Sequence, residues 1–142
     1  MKMEGKTDAA LEWAKGWEKL DGFLKLNALI NQEGEATFTT AYNDRIVTKY
    51  NDGTAKREYT FQLRLIAPWS DGYDSTNIEA ERLATEWYDW VSAQYELGNV
   101  PDWDGANIES IEPINNAPAL NAVFQEDSTA EYVIQAIITY IE

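Results

Sequence analysis

The 142-residue sequence predicts an α+β domain: a mostly antiparallel sheet built from hairpins, with two helices packed on it. Three stretches carry that prediction. In residues 57–67 Tyr59, Phe61, Leu63, Leu65 and Ala67 alternate with Glu58, Thr60, Gln62, Arg64 and Ile66, the period-2 signature of a strand with one buried face. Ala80, Leu83, Ala84, Trp87, Trp90 and Val91 fall on one stripe at helical spacing. The closing run 129–141 places Ala130, Tyr132, Ile134, Ala136, Ile138 and Tyr140 on one face of a strand.

Taken in order, Thr7 or Asp8 caps a first helix over 8–19, weakened by Gly16 and ended by Asp21-Gly22. Residues 23–30 and 36–42 read as two strands of a hairpin turning at 31–35, and Asn43-Asp44 opens a short connection. Residues 45–50 and 55–67 form a second hairpin, because Asn51-Asp52-Gly53 tolerates the positive φ of a tight turn. The second helix follows a loop after Pro68, with Thr76 and Glu79 as a capping box or Asp74 or Ser75 instead, and Gly98 stops it. Residues 106–114 alternate weakly as a strand, and 115–128 read as a long connection. In the last strand Val133, Ile137 and Ile141 share the second face with Glu131, Gln135 and Thr139, so both faces are expected to be covered, the second by a neighbouring subunit. No repeat or linker divides the chain, which reads as a single domain over 1–142.

Composition narrows the function. The chain has no histidine and no cysteine, which removes imidazole-based triads, thiolate chemistry and His- or Cys-ligated metals. No glycine-rich phosphate loop occurs. Residues 102–107 begin like a calcium loop, but the fifth, sixth and twelfth positions hold Ala106, Asn107 and Pro113, so the pattern fails. The acidic loops 71–74 and 102–107 therefore read as turns with solvated carboxylates. Carboxylate pairs, Lys and Tyr remain as possible catalysts; carboxylate pairs with Trp69, Tyr73 and Trp103 as sugar platforms would suit glycosidase chemistry, and nothing places two carboxylates across a cleft. The expectation is a non-enzyme with no catalytic, cofactor or metal site.

The formal charge of −14 is unevenly spread. Residues 1–67 hold ten basic and ten acidic residues, whereas 68–142 hold fifteen acidic residues and one basic, Arg82. Such a chain should repel polyanions and anionic lipid, so neither nucleic-acid nor membrane binding is expected. The amino terminus is polar where an export signal needs an apolar run, and no segment has the length of a bilayer span.

The run "YNDGTAKREYTFQLRLIAPWSDG", the helix "AERLATEWYDWV", the "NAPAL" connection and the closing "AEYVIQAIITYIE" come in a distinctive order. In it the chain resembles the tail-terminator, or minor capsid, proteins of long-tailed phages and prophages of Gram-positive bacteria. The resemblance implies an α+β subunit of a homo-oligomeric ring, usually of six. Such a ring caps the tail tube and docks to a head-neck connector in the virion tail, after assembly in the bacterial cytoplasm. Partners would be further copies of itself, the tube protein and the connector protein; the acidic surface would line the hole and let the genome pass. The residues proposed for contacts are Tyr42, Asp44, Asn51, Asp52, Trp69, Tyr73 and Trp103. A rival from another class is an acidic DNA mimic that inhibits a host nuclease or restriction enzyme, which the same charge imbalance would serve. A third, a carbohydrate-binding tail-tip domain, requires aromatics aligned on one exposed face.

Overall fold

The computed structural model describes residues 6–17, 24–26, 36–70, 72, 74–114 and 119–142. Elements run α1 (Lys6–Ala14), β1 (Leu24–Leu26), β2 (Ala36–Lys49), β3 (Ala55–Pro68), α2 (Asp74–Gln94), β4 (Asn107–Pro113), β5 (Ala119–Phe124) and β6 (Thr129–Ile141). They form one six-stranded, mostly antiparallel sheet in the order β1-β2-β3-β6-β4, with β5 also on β6, and both helices on one face. The predicted α+β class holds.

β3 is the central member, paired along its whole length with β6 from Lys56↔Ile141 to Pro68↔Thr129. Its alternation is realised literally: Tyr59, Phe61, Leu63 and Leu65 are buried opposite Ile138, Ala136, Ile134 and Tyr132. Burial of each large side chain contributes about 1.5–3 kcal/mol. The rings also interlock. Phe61 stacks on Phe38 of β2 at 4.9 Å and meets Trp13 of α1 edge-on at 5.9 Å. Ala9, Ala10 and Ala14 are buried beside Trp13, and their small side chains let α1 lie close to the sheet. Trp13 of α1 and Trp17 just after it touch Trp90 and Trp87 of α2, so these rings join the two helices to one core. The Tyr59 hydroxyl meets the Thr7 hydroxyl at 2.9 Å, which supplies a partner to a buried polar group.

The end of α2 is built as the sequence foretells. Gly98 has φ +77°, its N–H donates to Tyr95 O, and the Asn99 N–H donates to Gln94 O at 3.0 Å, the Schellman pair of a left-handed cap. Asn99 then donates through Nδ2 to Gln94 Oε1 at 2.6 Å and accepts at its backbone oxygen from Trp13 Nε1 at 2.9 Å. The cap thereby clamps α1 to α2. At the other end, Ser70 and Asn77 exchange two hydrogen bonds, Ser70 N–H to Oδ1 at 2.9 Å and Nδ2 to Ser70 O at 2.8 Å. Thr76 does not cap the helix but lies within its first turn, since the helix begins at Asp74.

Four local expectations are corrected. α1 spans Lys6–Ala14 instead of 8–19; beyond Ala14 the chain tightens into i→i−3 bonds, Gly16 N–H to Trp13 O and Trp17 N–H to Ala14 O, where glycine disfavours helix. The stretch 18–23, with the expected Asp21-Gly22 stop, lies outside the described residues. β1 and β2 are not a hairpin: Leu24 faces Ala36 and Leu26 faces Phe38 in parallel register. A parallel neighbour needs the chain to travel back before pairing, and an apolar run, turn residues and another apolar run do not encode direction. Residues 27–35 lie outside the described residues.

The Asn43-Asp44 connection is absent, because 36–49 is one strand. Between Ala36↔Leu65 and Lys49↔Ala55, β2 advances thirteen residues and β3 ten, the excess being taken up at three register shifts, between Thr40 and Tyr42, Tyr42 and Arg45, and Ile46 and Thr48. Turn-favouring residues are thus absorbed as bulges. Finally, 119–124, expected as part of a connection, is β5. It occupies the stretch of β6 that β4 leaves free: β4 pairs with Ala136–Ile141 and β5 with Thr129–Val133. A strand of this kind is specified by a vacant edge, which only the folded sheet provides.

Candidate functional site

The sheet face away from the helices carries Thr39, Lys56, Glu58, Thr60, Gln62, Arg64, Val133, Gln135, Ile137, Thr139 and Ile141, all partly exposed, with no described helix over it. A shallow depression of about 600 Å³ opens there, lined by Arg45, Glu58, Thr60, Gln62, Ile114, Gln135 and Ile137. Arg45 and Glu58 pair loosely at 3.9 Å. Arg64 and the buried Glu131 pair at 3.6 Å on the same face. Among the described residues that line the depression, Glu58 is the one carboxylate.

A second groove, of about 590 Å³, lies between the end of α2 and the start of β4. Its walls are Tyr95, Val100, Pro101, Trp103, Ala106 and Ile108, with Glu96 and Asp102 at its rim. Exposed Leu97 stands beside it. The groove exists because the left-handed residues Gly98 and Gly105 fold the chain back twice between helix and strand. Among the described residues, no group of three His, Cys, Asp or Glu could hold a metal ion. No described helix is long and apolar enough to cross a membrane.

The outer edge of β2 is the third feature. β1 covers only Ala36–Phe38, so from Thr39 to Lys49 the outer side of β2 has no described strand beside it. Residues 45–50 are all exposed, among them Ile46, Val47 and Tyr50. Of the thirteen residues 45–57, Arg45, Lys49, Lys56 and Arg57 are basic and Asp52 alone is acidic. The acidic excess lies elsewhere: Glu79, Glu81 and Asp89 on the exposed side of α2, and Glu96, Asp102 and Asp104 after it.

Four of the seven residues expected to make contacts fall on this edge and its turn. Tyr42 and Asp44 belong to the bulged part of β2, with Tyr42 opposite Thr60. Asn51 and Asp52 form the exposed turn to β3. Asp52 accepts from the Thr54 hydroxyl at 2.6 Å and the Thr54 N–H at 3.0 Å, and these bonds, the hydroxyl first, hold its carboxyl below the ordinary range. Trp69 is half-buried at the opposite end of β3, where its N–H donates to Ser128 O. Tyr73 lies outside the described residues. Trp103 is no exposed platform. It is 7% exposed, edge-on to Tyr59 and Tyr140 at 5.1 and 5.0 Å, and its Nε1 donates to Lys6 O at 3.0 Å.

Sequence reasoning missed the apolar part of the edge and the groove. The adjacent Ile46 and Val47 break strand alternation, so one of them had to face outward; Leu97 just before the capping Gly98 gave a weaker sign. No protein-family model matches the chain, and comparison with curated proteins gives no match.

Proposed function

We propose that the chain is a non-catalytic assembly subunit, a tail terminator of a phage or prophage that closes into a ring on the tail tube and docks to the head-neck connector. The observation that carries this reading is the outer edge of β2 from Thr39 to Lys49, which has no described strand beside it, with Ile46, Val47 and the following Tyr50 exposed. Unpaired edges invite uncontrolled pairing, and a closed ring gives each subunit's edge a partner. The half-apolar open sheet face offers a second surface for neighbours. The segregated charge fits as well: α2 presents an acidic flank that would let a polyanion slide through a central hole.

Native mass spectrometry and light scattering over a wide concentration range, with and without magnesium, test the reading, with negative stain for any large species. Rings of about six with a central hole, or binding to purified unfinished tails, are the expected result. A chain that neither forms rings nor binds such tails overturns it. The exposed carboxylates along α2, Glu79, Glu81 and Asp89, favour one other reading, the DNA mimic. Tight one-to-one binding to a nuclease or restriction enzyme, competed by duplex DNA, would select that reading instead.

A further inference from the structure

We propose that the β2 edge at residues 45–50 of one copy seats in the groove between the end of α2 and the start of β4 of a second copy. This deepens the ring reading and rests on it, since it names the surfaces by which subunits join. The two surfaces match in chemistry. The edge offers Ile46, Val47 and Tyr50, which are 42%, 49% and 42% exposed, flanked by Arg45 and Lys49. The groove offers Tyr95, 41% exposed, between Glu96 and Asp102, and Leu97, 73% exposed, follows Glu96 just outside its lining. Apolar centres with charges of opposite sign at the rim are the composition of a specific interface, the rim setting register and partner choice.

Their placement makes the partner another copy. Thr48 pairs with Lys56, Lys56 with Ile141 and Ile141 with Asn107, so edge and groove end one row across the sheet. That row has three strand intervals, about 14 Å, and the two surfaces lie at its opposite ends. One chain cannot bring its own edge to its own groove. A second copy continues the row, and because the joined surfaces differ, the contact is head-to-tail and repeats, closing into a ring where the rotation between copies closes. Each copy then covers the exposed Ile46, Val47 and Tyr50 on one side and the exposed Leu97 on the other.

Charge exchange tests the contact. Arg45→Glu with Lys49→Glu makes edge and groove both acidic, and Glu96→Lys with Asp102→Lys makes both basic. Each double variant should keep the wild-type circular dichroism spectrum and melting curve, yet self-associate at least about tenfold more weakly by light scattering. Mixed one to one, they should recover assembly, with the two masses alternating in native mass spectra. Because the natural chain lacks cysteine, Val47→Cys with Leu97→Cys supplies an independent readout. Oxidation should yield a ladder of covalent multimers from the double variant and none from either single one, the two sites within a chain being too far apart for a disulfide.

Unchanged association of either charge variant, no recovery on mixing, or no ladder overturns the proposal, as does a wild-type chain that stays monomeric even on purified tails. Rings that survive every exchange leave the terminator reading standing and remove only this contact. A ladder from a chain that never closes or binds tails does the reverse.

Discussion

Replacement of Trp103 separates a core residue from a contact residue. On an exposed loop its truncation would change stability by no more than about 0.5 kcal/mol. In the structure it is enclosed between Tyr59 and Tyr140, and its indole N–H bonds to the first residue of α1. Trp103→Ala removes a buried indole and leaves a cavity, worth about 3–5 kcal/mol. Loss of two edge-on ring contacts and of a partner for Lys6 O belongs to that figure and is not added to it. Trp103→Phe keeps an aromatic ring but loses the donor and some volume, and should cost about 1–2 kcal/mol. Domains of this kind have about 5–15 kcal/mol in total, so the alanine variant approaches the unfolding threshold at moderate temperature. Urea unfolding followed by far-ultraviolet circular dichroism measures both, because it does not depend on the fluorescence of the tryptophan removed. Hydrogen exchange should also rise in α1, whose amino-terminal residue the indole holds. An alanine variant within about 1 kcal/mol of wild type would refute the buried placement and restore Trp103 to the surface.

Three further outcomes follow from other parts of the fold. Gly98→Ala forces a side chain into φ +77° where open space surrounds it, so its cost is conformational alone, about 1 kcal/mol in urea unfolding, with Gly98→Asn losing less. The Tyr132 hydroxyl is held above its ordinary value near 10, first by burial and then by the charge of Glu81. The folded state keeps that proton longer than the unfolded chain, so the contribution is complete below the ordinary value and is lost as pH rises through and above it; the alkaline fall of the unfolding midpoint should be shallower in Tyr132→Phe. Asp52 is shifted the other way by Thr54, so its contribution is present above the ordinary carboxylate range and lost as pH falls. Thr54→Val, which removes the hydroxyl bond, should raise the Asp52 titration midpoint seen by carboxyl NMR, and an unchanged midpoint would refute that bond.

Much of the fold was written locally. Strict alternation at 57–67 and 129–141 specified two strands and their buried faces, because a strand's side chains point to opposite sides whatever surrounds it. The stripe through Leu83, Trp87, Trp90 and Val91, and Gly98 after it, specified α2 and its end, because period and left-handed backbone are properties of a few neighbouring residues. The turn at 51–53 was legible for the same reason. Composition removed imidazole and thiol chemistry outright.

What required tertiary structure was whatever depends on residues distant in sequence. The parallel direction of β1, the three bulges that carry β2 through Asn43 and Asp44, and the seating of β5 on β6 beside β4 are answers to vacant edges that no local pattern describes. The same holds for function. Tyr42, Asp44, Asn51 and Asp52 were picked as contact residues from the sequence, yet only the sheet order shows that they lie along one edge strand and its turn. Trp103 looked like an exposed loop aromatic until Tyr59, Tyr140 and Lys6, far away in the chain, closed around it. A sequence fixes which surfaces are apolar or charged. Which of them remain uncovered, and at which ends of the sheet, is decided when distant segments pack.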